Sequence, residues 1–135
     1  MFYLDSNVFI YALEGSERYS EAVARLLERL GDPPTAVTSE LTIGECLIGA
    51  ASDELAALYL DVLSNEDVVR TIPVTRAIVE MGARHGRRSG VRLVDAIHIA
   101  TAVSADCKVF VSNDLRLKVP QGLRKLDLRN LISDQ

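Results

Sequence analysis

Phe2-Tyr3-Leu4-Asp5-Ser6-Asn7-Val8-Phe9-Ile10-Tyr11-Ala12-Leu13 opens the chain and decides how the rest is read. Three apolar residues make a short strand-like run that stops at an acid. Residues 8–13 then predict a helix that ends at Gly15. Strand-like and helical runs alternate in the same way to the far end. Glu17–Leu30 carries Ala22, Val23, Leu26, Leu27 and Leu30 at helical spacing and is closed by Gly31. Pro33 and Pro34 mark a turn before a second strand at 35–38, and Ser39 can cap a helix over 40–50. Asp53–Leu63 fits another helix, 68–74 a third strand that Pro73 pushes towards its edge or end, and Thr75 can cap a helix to about Arg84, with Gly86 and Gly90 breaking the pattern beyond it. Leu93–Ser104 is the most apolar helix, 108–112 a fourth strand and 123–128 a fifth. Strands separated by helices imply parallel pairing, since parallel neighbours need a crossover. The expected fold is α/β: a three-layer α/β/α sandwich around a small parallel sheet of four to five strands, spanning residues 1–135 as a single domain.

Composition agrees with that size and class. The chain has 135 residues, 48% hydrophobic and 25% charged, so neither disorder nor a coiled coil is expected. A chain of this length buries roughly two thirds of its unfolded surface, enough for a core without staples. No apolar run approaches the length of a membrane span, and the N-terminus lacks a basic region before its apolar stretch, so a cytoplasmic protein is expected. Cys46 and Cys107 stand far apart without a CxxC and are expected as buried, unpaired side chains. The net charge of −4 argues against a uniformly basic nucleic-acid binder. It is nevertheless the sum of two unlike halves. Residues 1–67 carry three basic and thirteen acidic side chains, a net of −10, and residues 68–135 carry twelve basic and six acidic ones, a net of +6.

Four acids stand where acids are costly. Asp5 follows the first strand, and Asp114 takes the equivalent place after Val109-Phe110-Val111. Glu45 lies inside Leu41-Thr42-Ile43-Gly44-Glu45-Cys46-Leu47-Ile48, and Asp95 inside Leu93-Val94-Asp95-Ala96-Ile97-His98-Ile99-Ala100. A carboxylate with apolar neighbours is at risk of burial and then needs a cation or a proton. Each acid also has a plainer reading: Asp5 as a helix cap, Asp114 as a turn residue, Asp95 as a first-turn acid, Glu45 as half of an ion pair. Together they suit a divalent metal. Mg²⁺ and Mn²⁺ take hard oxygen ligands, polarise a phosphodiester and lower the pKa of a bound water. His85 and His98 are too far apart in sequence for a zinc motif, and His98 is expected to be a semi-buried packing or hydrogen-bonding group.

These segments resemble a known family. Leu4-Asp5-Ser6-Asn7-Val8-Phe9-Ile10-Tyr11 is similar to the opening motif of PIN-domain ribonucleases. Glu45 in Thr42-Ile43-Gly44-Glu45 resembles their second acid, Leu93 to Ala102 their third-acid helix, and Val111-Ser112-Asn113-Asp114 their fourth motif. A chain of this size resembles the VapC-type toxins of toxin–antitoxin pairs. The resemblance implies a Mg²⁺- or Mn²⁺-dependent endoribonuclease leaving 5′-phosphate ends, usually a homodimer, silenced by a small VapB-type antitoxin. It also implies that Asp5, Glu45, Asp95 and Asp114 are the metal ligands and catalytic acids. Asn7, Ser112 and Asn113 are then supporting polar residues that hydrogen-bond to the acids or to water on the metal. Many relatives have an aromatic residue shortly after the last acid, whereas Leu115-Arg116-Leu117 stands here.

Arg84, Arg87, Arg88 and Arg92 fall in one run just upstream of Asp95, with no acid between Glu80 and Asp95. The arginine fork matches phosphate geometry, so this run is the expected RNA contact, against the plainer reading of a basic helix end. The apolar stripe of Asp53–Leu63, with Tyr11, Tyr19 and Tyr59, suits a dimer or antitoxin groove or else the core. Two other functions are open at this level. A catalytically silent PIN-fold protein-binding module is disfavoured by the presence of all four acids. A phosphoryl-accepting Asp5 would want a second Asp two residues on, and Asn7 fills that place.

Overall fold

A computed structural model describes residues 1–15, 17–31, 35–114 and 116–131, with the backbone alone at residues 18 and 19. The turn expected at Pro33 and Pro34, the Leu115 side of the last motif and the Tyr19 side chain lie outside the described residues. Strands β1 (Phe2–Leu4), β2 (Ala36–Ser39), β3 (Arg70–Ile72), β4 (Val109–Ser112) and β5 (Arg124–Asp127) form one parallel sheet in the order β3-β2-β1-β4-β5. The crossovers are helical. They are α1 (Ser6–Glu14) with α2 (Glu17–Leu30), α3 (Glu40–Gly49) with α4 (Asp53–Leu63), and α5 (Arg76–Ser89) with α6 (Leu93–Ser104). A 3-10 turn, Leu128–Leu131, follows β5.

Strand alternation sends neighbouring side chains to opposite faces. Leu4, Val109, Val111 and Leu126 pack with Val8, Phe9, Ala22, Leu26, Cys46 and Tyr59 of α1 to α4 on one face. Tyr3, Val37 and Phe110 meet Ile99 and Ala102 of α6 on the other. This is the expected α/β/α sandwich. The sheet order reverses between β1 and β4, and in open parallel sheets that point, outside the carboxyl ends of the strands, is where ligands gather.

Helix starts follow local chemistry. Asp5 caps α1, Ser39 caps α3, Ser52 caps α4 and Thr75 caps α5, each accepting a backbone N–H. Two expectations change. The third strand is shorter than 68–74, because the Val68 and Val69 amides bond to the Asn65 carbonyl in a turn and Pro73 has no amide to continue the ladder. The α5 helix does not stop at about Arg84 but runs through Gly86 to Ser89, and Gly90 ends it with φ +76°. Its glycines serve contact. A Cβ at Gly82 would lie 3.2 Å from the Ala96 carbonyl, and one at Gly86 3.0 Å from the Val91 carbonyl. Gly82→Val is therefore expected to cost about 1–3 kcal/mol by wedging α5 from α6, seen as a lower urea midpoint. An unchanged midpoint would show that the helices are not pressed together there. Of the two readings open for Tyr59, groove or core, it takes the core, with its hydroxyl donating to Glu14, while Tyr11 is half-buried.

Both cysteines are free and buried. Burial pushes the Cys107 thiol up to about 11 and the Cys46 thiol up to about 12, so both stay protonated and unreactive. Among the described residues no helix is long and apolar enough to cross a membrane.

Candidate metal and substrate site

The carboxyl edge of the sheet at β1 and β4 carries the first polar cluster. Asp5 leaves β1 buried, its Oδ1 accepting the Ser6 amide at 2.8 Å and its Oδ2 the Ser112 hydroxyl at 2.9 Å. Ser112, the last residue of β4, also accepts the Asp114 amide at 3.1 Å and the Asn7 side-chain amide at 3.4 Å. Asn7 thus bonds to Ser112 and, through its Oδ1, to the Asn113 amide at 3.2 Å. Asn113 donates in turn to the Tyr11 hydroxyl at 2.8 Å, and its Oδ1 is buried without a hydrogen-bond partner. One serine therefore ties the two strand-end acids together, although β1 and β4 lie more than a hundred residues apart in the chain.

Asp95 and Asp114 line one cleft with Gly90, Val91, Arg92, Arg116 and Leu117, enclosing about 460 Å³. Asp95 sits in the first turn of α6, where the helix dipole favours an anion. Its pKa is nevertheless raised, first by burial and then by the negative charge of Asp5, with Asp114 adding to it and Arg92 and His98 opposing. Arg92 approaches only to 4.0 Å. The negative charges of Asp5 and Asp114 therefore both act on Asp95 across the switch point.

Glu45 enters from α3 and meets His98 rather than the other acids. Its Oε1 lies 2.5 Å from His98 Nε2, which is itself 3.8 Å from Asp5 Oδ1. A carboxylate has no proton to give, so Nε2 carries the hydrogen. Nδ1 bonds to the Tyr3 hydroxyl at 2.5 Å, completing a chain from the sheet interior to the site. Burial alone would lower the His98 pKa, but the Glu45 bond and the charges of Asp5, Glu45 and Asp95 leave it raised. Asp127, at the end of β5 and in register with Ser112, is a further buried acid; the Arg129 guanidinium, 2.8 Å away, holds it below the usual carboxylate range.

Sequence reasoning missed the Tyr3–His98–Glu45 chain, Asp127 and Arg116. A signal for the first exists: Tyr3 lies two residues before Asp5, on the same strand face, and His98 three after Asp95, on one helix face. The expected arginine run is divided by the fold. Arg92 joins Arg116 at the acid cleft, whereas Arg84, Arg87 and Arg88 line a separate recess on α5.

The donor set selects among cations. Among the described residues no three histidine, cysteine or acid side chains stand close enough to enclose a metal ion by themselves. Among those residues a closed structural site of the zinc type is not formed. A hard cation that keeps most of its water and touches one or two carboxylates fits an open cleft with Asp95 and Asp114 on its walls and negative charge on Asp95 to offset.

An α/β sandwich with acids gathered at the β1/β4 switch point defines a class, and residues 2–123 match the PIN domain family model: the chain belongs to the PIN-domain family. In fold it is similar to a toxin–antitoxin complex from Klebsiella pneumoniae, with a TM-score of 0.74, 19% identity and coverage of 95% of this chain and 98% of that one. It is also similar to VapBC2 from Rickettsia felis bound to a promoter DNA fragment, with a TM-score of 0.72, 18% identity and coverage of 94% and 98%. VapC20 from Mycobacterium tuberculosis, a sarcin–ricin-loop-cleaving toxin, matches with a TM-score of 0.72, 19% identity and coverage of 87% and 92%. No curated protein matches the chain in sequence.

Proposed function

We propose that this PIN-domain protein is a divalent-metal-dependent endoribonuclease acting as the VapC-type toxin of a toxin–antitoxin pair. In this reading the whole chain works as one nuclease domain, in the cytoplasm and as a homodimer, restrained by a VapB-type antitoxin. The observation that carries it is the trio Asp5, Asp95 and Asp114, brought from three elements to one sheet edge, where the charges of the other two act on Asp95. The names of the structurally similar proteins, toxin–antitoxin complexes among them, support the biological role.

Asp95 and Asp114 would take Mg²⁺ or Mn²⁺ directly, with Asp5 and Glu45 as the further acids of the site. The bound cation supplies charge stabilisation at the scissile phosphate and acidifies the attacking water. The protein's own groups set the stage for this. Ser112 and the Ser6 amide fix the Asp5 carboxylate by both oxygens. His98 holds Glu45 by an N–H bond and keeps its rotamer. Asn7 and Asn113 brace the turn that carries Asp114. Arg92 and Arg116, on the cleft rim, offer forked donors to the phosphates on either side of the cut.

RNA cleavage that disappears in EDTA and returns with Mg²⁺ or Mn²⁺ tests the reading; a preparation inert towards RNA with both metals overturns it. A second consequence is thermodynamic. Because a cation relieves repulsion that exists only in the folded state, millimolar Mg²⁺ or Mn²⁺ is expected to stabilise the fold by about 1–3 kcal/mol. That corresponds to a rise of about 3–10 °C in Tm. A melting curve indifferent to metal would deny a shared site.

A further inference from the structure

A recess on the α5/α6 face and the groove beside it carry three guanidiniums that the acid cleft does not use. Its floor is apolar: Ile99 and Ala100 of α6, Met81 of α5 and Pro120, with Val103 at the mouth, enclosing about 210 Å³. Arg84 and Arg88 line it, and with Arg87 they continue into an adjoining surface groove. His85 Nε2 lies 3.3 Å from the Lys118 carbonyl, which ties the loop carrying Pro120 to α5 and fixes the wall. Arg84, Arg87 and Arg88 lie at i, i+3 and i+4, on one helix face. Among the described residues none of the three pairs with a carboxylate, although Arg25, Arg76 and Arg129 do.

An apolar slot with unpaired forked cations at its rim has a specific chemistry. The floor takes a flat heterocycle, and the guanidiniums take phosphate oxygens or stack on the ring. A base inside a duplex is not available to such a slot, whereas an unpaired one is. The position agrees with a strand that reaches the acids. Ile99 lies four residues and Val103 eight residues beyond Asp95 on the same helix, about 6 and 12 Å along its axis. We infer that this recess is a second RNA subsite, which binds one unpaired base of single-stranded RNA with the flanking phosphates on Arg84 and Arg88. The inference rests on the ribonuclease reading for its biological meaning and makes that reading more specific: the substrate is an unpaired segment, held by a base one to two helix turns from the acids.

Binding, measured apart from cleavage, tests it. A fluorescent, unstructured RNA of about a dozen nucleotides is titrated with the protein in EDTA, alongside the same strand bearing abasic positions and the same strand annealed into a duplex. The wild type is expected to bind the intact single strand at least 10-fold tighter than either control. Arg84→Gln with Arg88→Gln should weaken binding at least 10-fold and reduce the slope of log affinity against log salt by about 1.4, two single-strand phosphate contacts at about 0.7 each. Val103→Glu, at an exposed position, places a carboxylate at the mouth and should also weaken binding at least 10-fold. Variants that bind like wild type, or equal binding of the duplex and abasic strands, overturn the subsite. If wild type cuts RNA with Mg²⁺ while the variants bind normally, the subsite alone falls. If wild type cuts nothing but the binding pattern holds, the nuclease reading falls and the subsite stands.

Discussion

Asp5→Asn is expected to abolish RNA cleavage, by a factor of about 10² to 10³ or more, while the protein remains folded. The substitution is nearly isosteric, and asparagine caps helices about as well as aspartate, so the Ser6 amide keeps an acceptor and α1 keeps its start. The new amide nitrogen faces Ser112 Oγ, which already accepts from Asp114 and Asn7, so that one side-chain bond weakens, while the backbone ladder keeps β1 and β4 paired. The change removes a carboxylate whose charge acts on Asp95 in the cleft. That charge would draw the cation in, and it is also one cause of the raised Asp95 pKa. In the variant the Asp95 pKa is expected to move down towards its ordinary value. Rates on a defined RNA, measured beside melting curves of both proteins, check the two halves of the prediction. Wild-type rates from a clean preparation would remove Asp5 from the site; a collapsed melting curve would make it structural.

The second large effect falls on His98. Its two ring nitrogens hold Tyr3 and Glu45, and Tyr3 and His98 are both fully buried. His98→Leu fills much the same space but takes one of its partners from the Tyr3 hydroxyl and the N–H donor from Glu45, at a cost of about 2–4 kcal/mol. For a chain of this length that lowers Tm by about 6–15 °C. The pH dependence follows from the raised pKa. Protonated His98 is favoured by folding, so its contribution is complete below the unfolded value of 6.5 and is lost as pH rises through the folded pKa. In EDTA, the stability gap between wild type and His98→Leu should therefore be widest in mild acid and narrow towards alkaline pH. Urea midpoints of both proteins across that range decide it. A gap that widens with pH would mean His98 works only as a neutral packing group.

What the amino-acid sequence discloses on its own depends on the distance over which a residue acts. Leu4, Asp5 and Gly15 speak locally: an apolar triplet, a cap and a stop define the first strand and helix from neighbours alone. The same holds for Ser39 and Thr75, whose capping oxygens reach only two or three residues ahead. Gly82 and Gly86 are opaque for the opposite reason. A glycine signals a helix break when only its own helix is considered, and a close crossing when the Ala96 and Val91 carbonyls of the next element are known. The four acids stand out because their surroundings in sequence are apolar, a local property. His98 reads as a hydrogen-bonding group from the sequence, but that its partners are Tyr3 and Glu45 depends on contacts across 95 and 53 residues, which the spacing of Tyr3 from Asp5 and of His98 from Asp95 only hints at. The arginines are visible as a run. Their division between cleft and recess is set by where α5 ends, at Gly90.

The electrostatic outcome is a protein with a negative total charge that still presents cations where a phosphate chain would lie. Arg92 and Arg116 flank the acids, and Arg84, Arg87 and Arg88 line the neighbouring recess. The acidic half of the chain contributes Asp5 and Glu45, and the basic half contributes Asp95, Asp114 and these arginines. Charge counted over the whole molecule hides this arrangement; charge counted at the sheet edge shows it.

The central claim is that the acids gathered at the β1/β4 edge cut RNA with the help of a divalent metal. End-mapping of a defined RNA cut by wild type and by Asp5→Asn, each with Mg²⁺ and with EDTA, tests it most directly. Discrete internal cuts bearing 5′-phosphates, made by wild type with Mg²⁺ and by neither the variant nor the EDTA sample, are the predicted result. Cuts that persist in EDTA or in Asp5→Asn, or that leave 5′-hydroxyl ends, would contradict it.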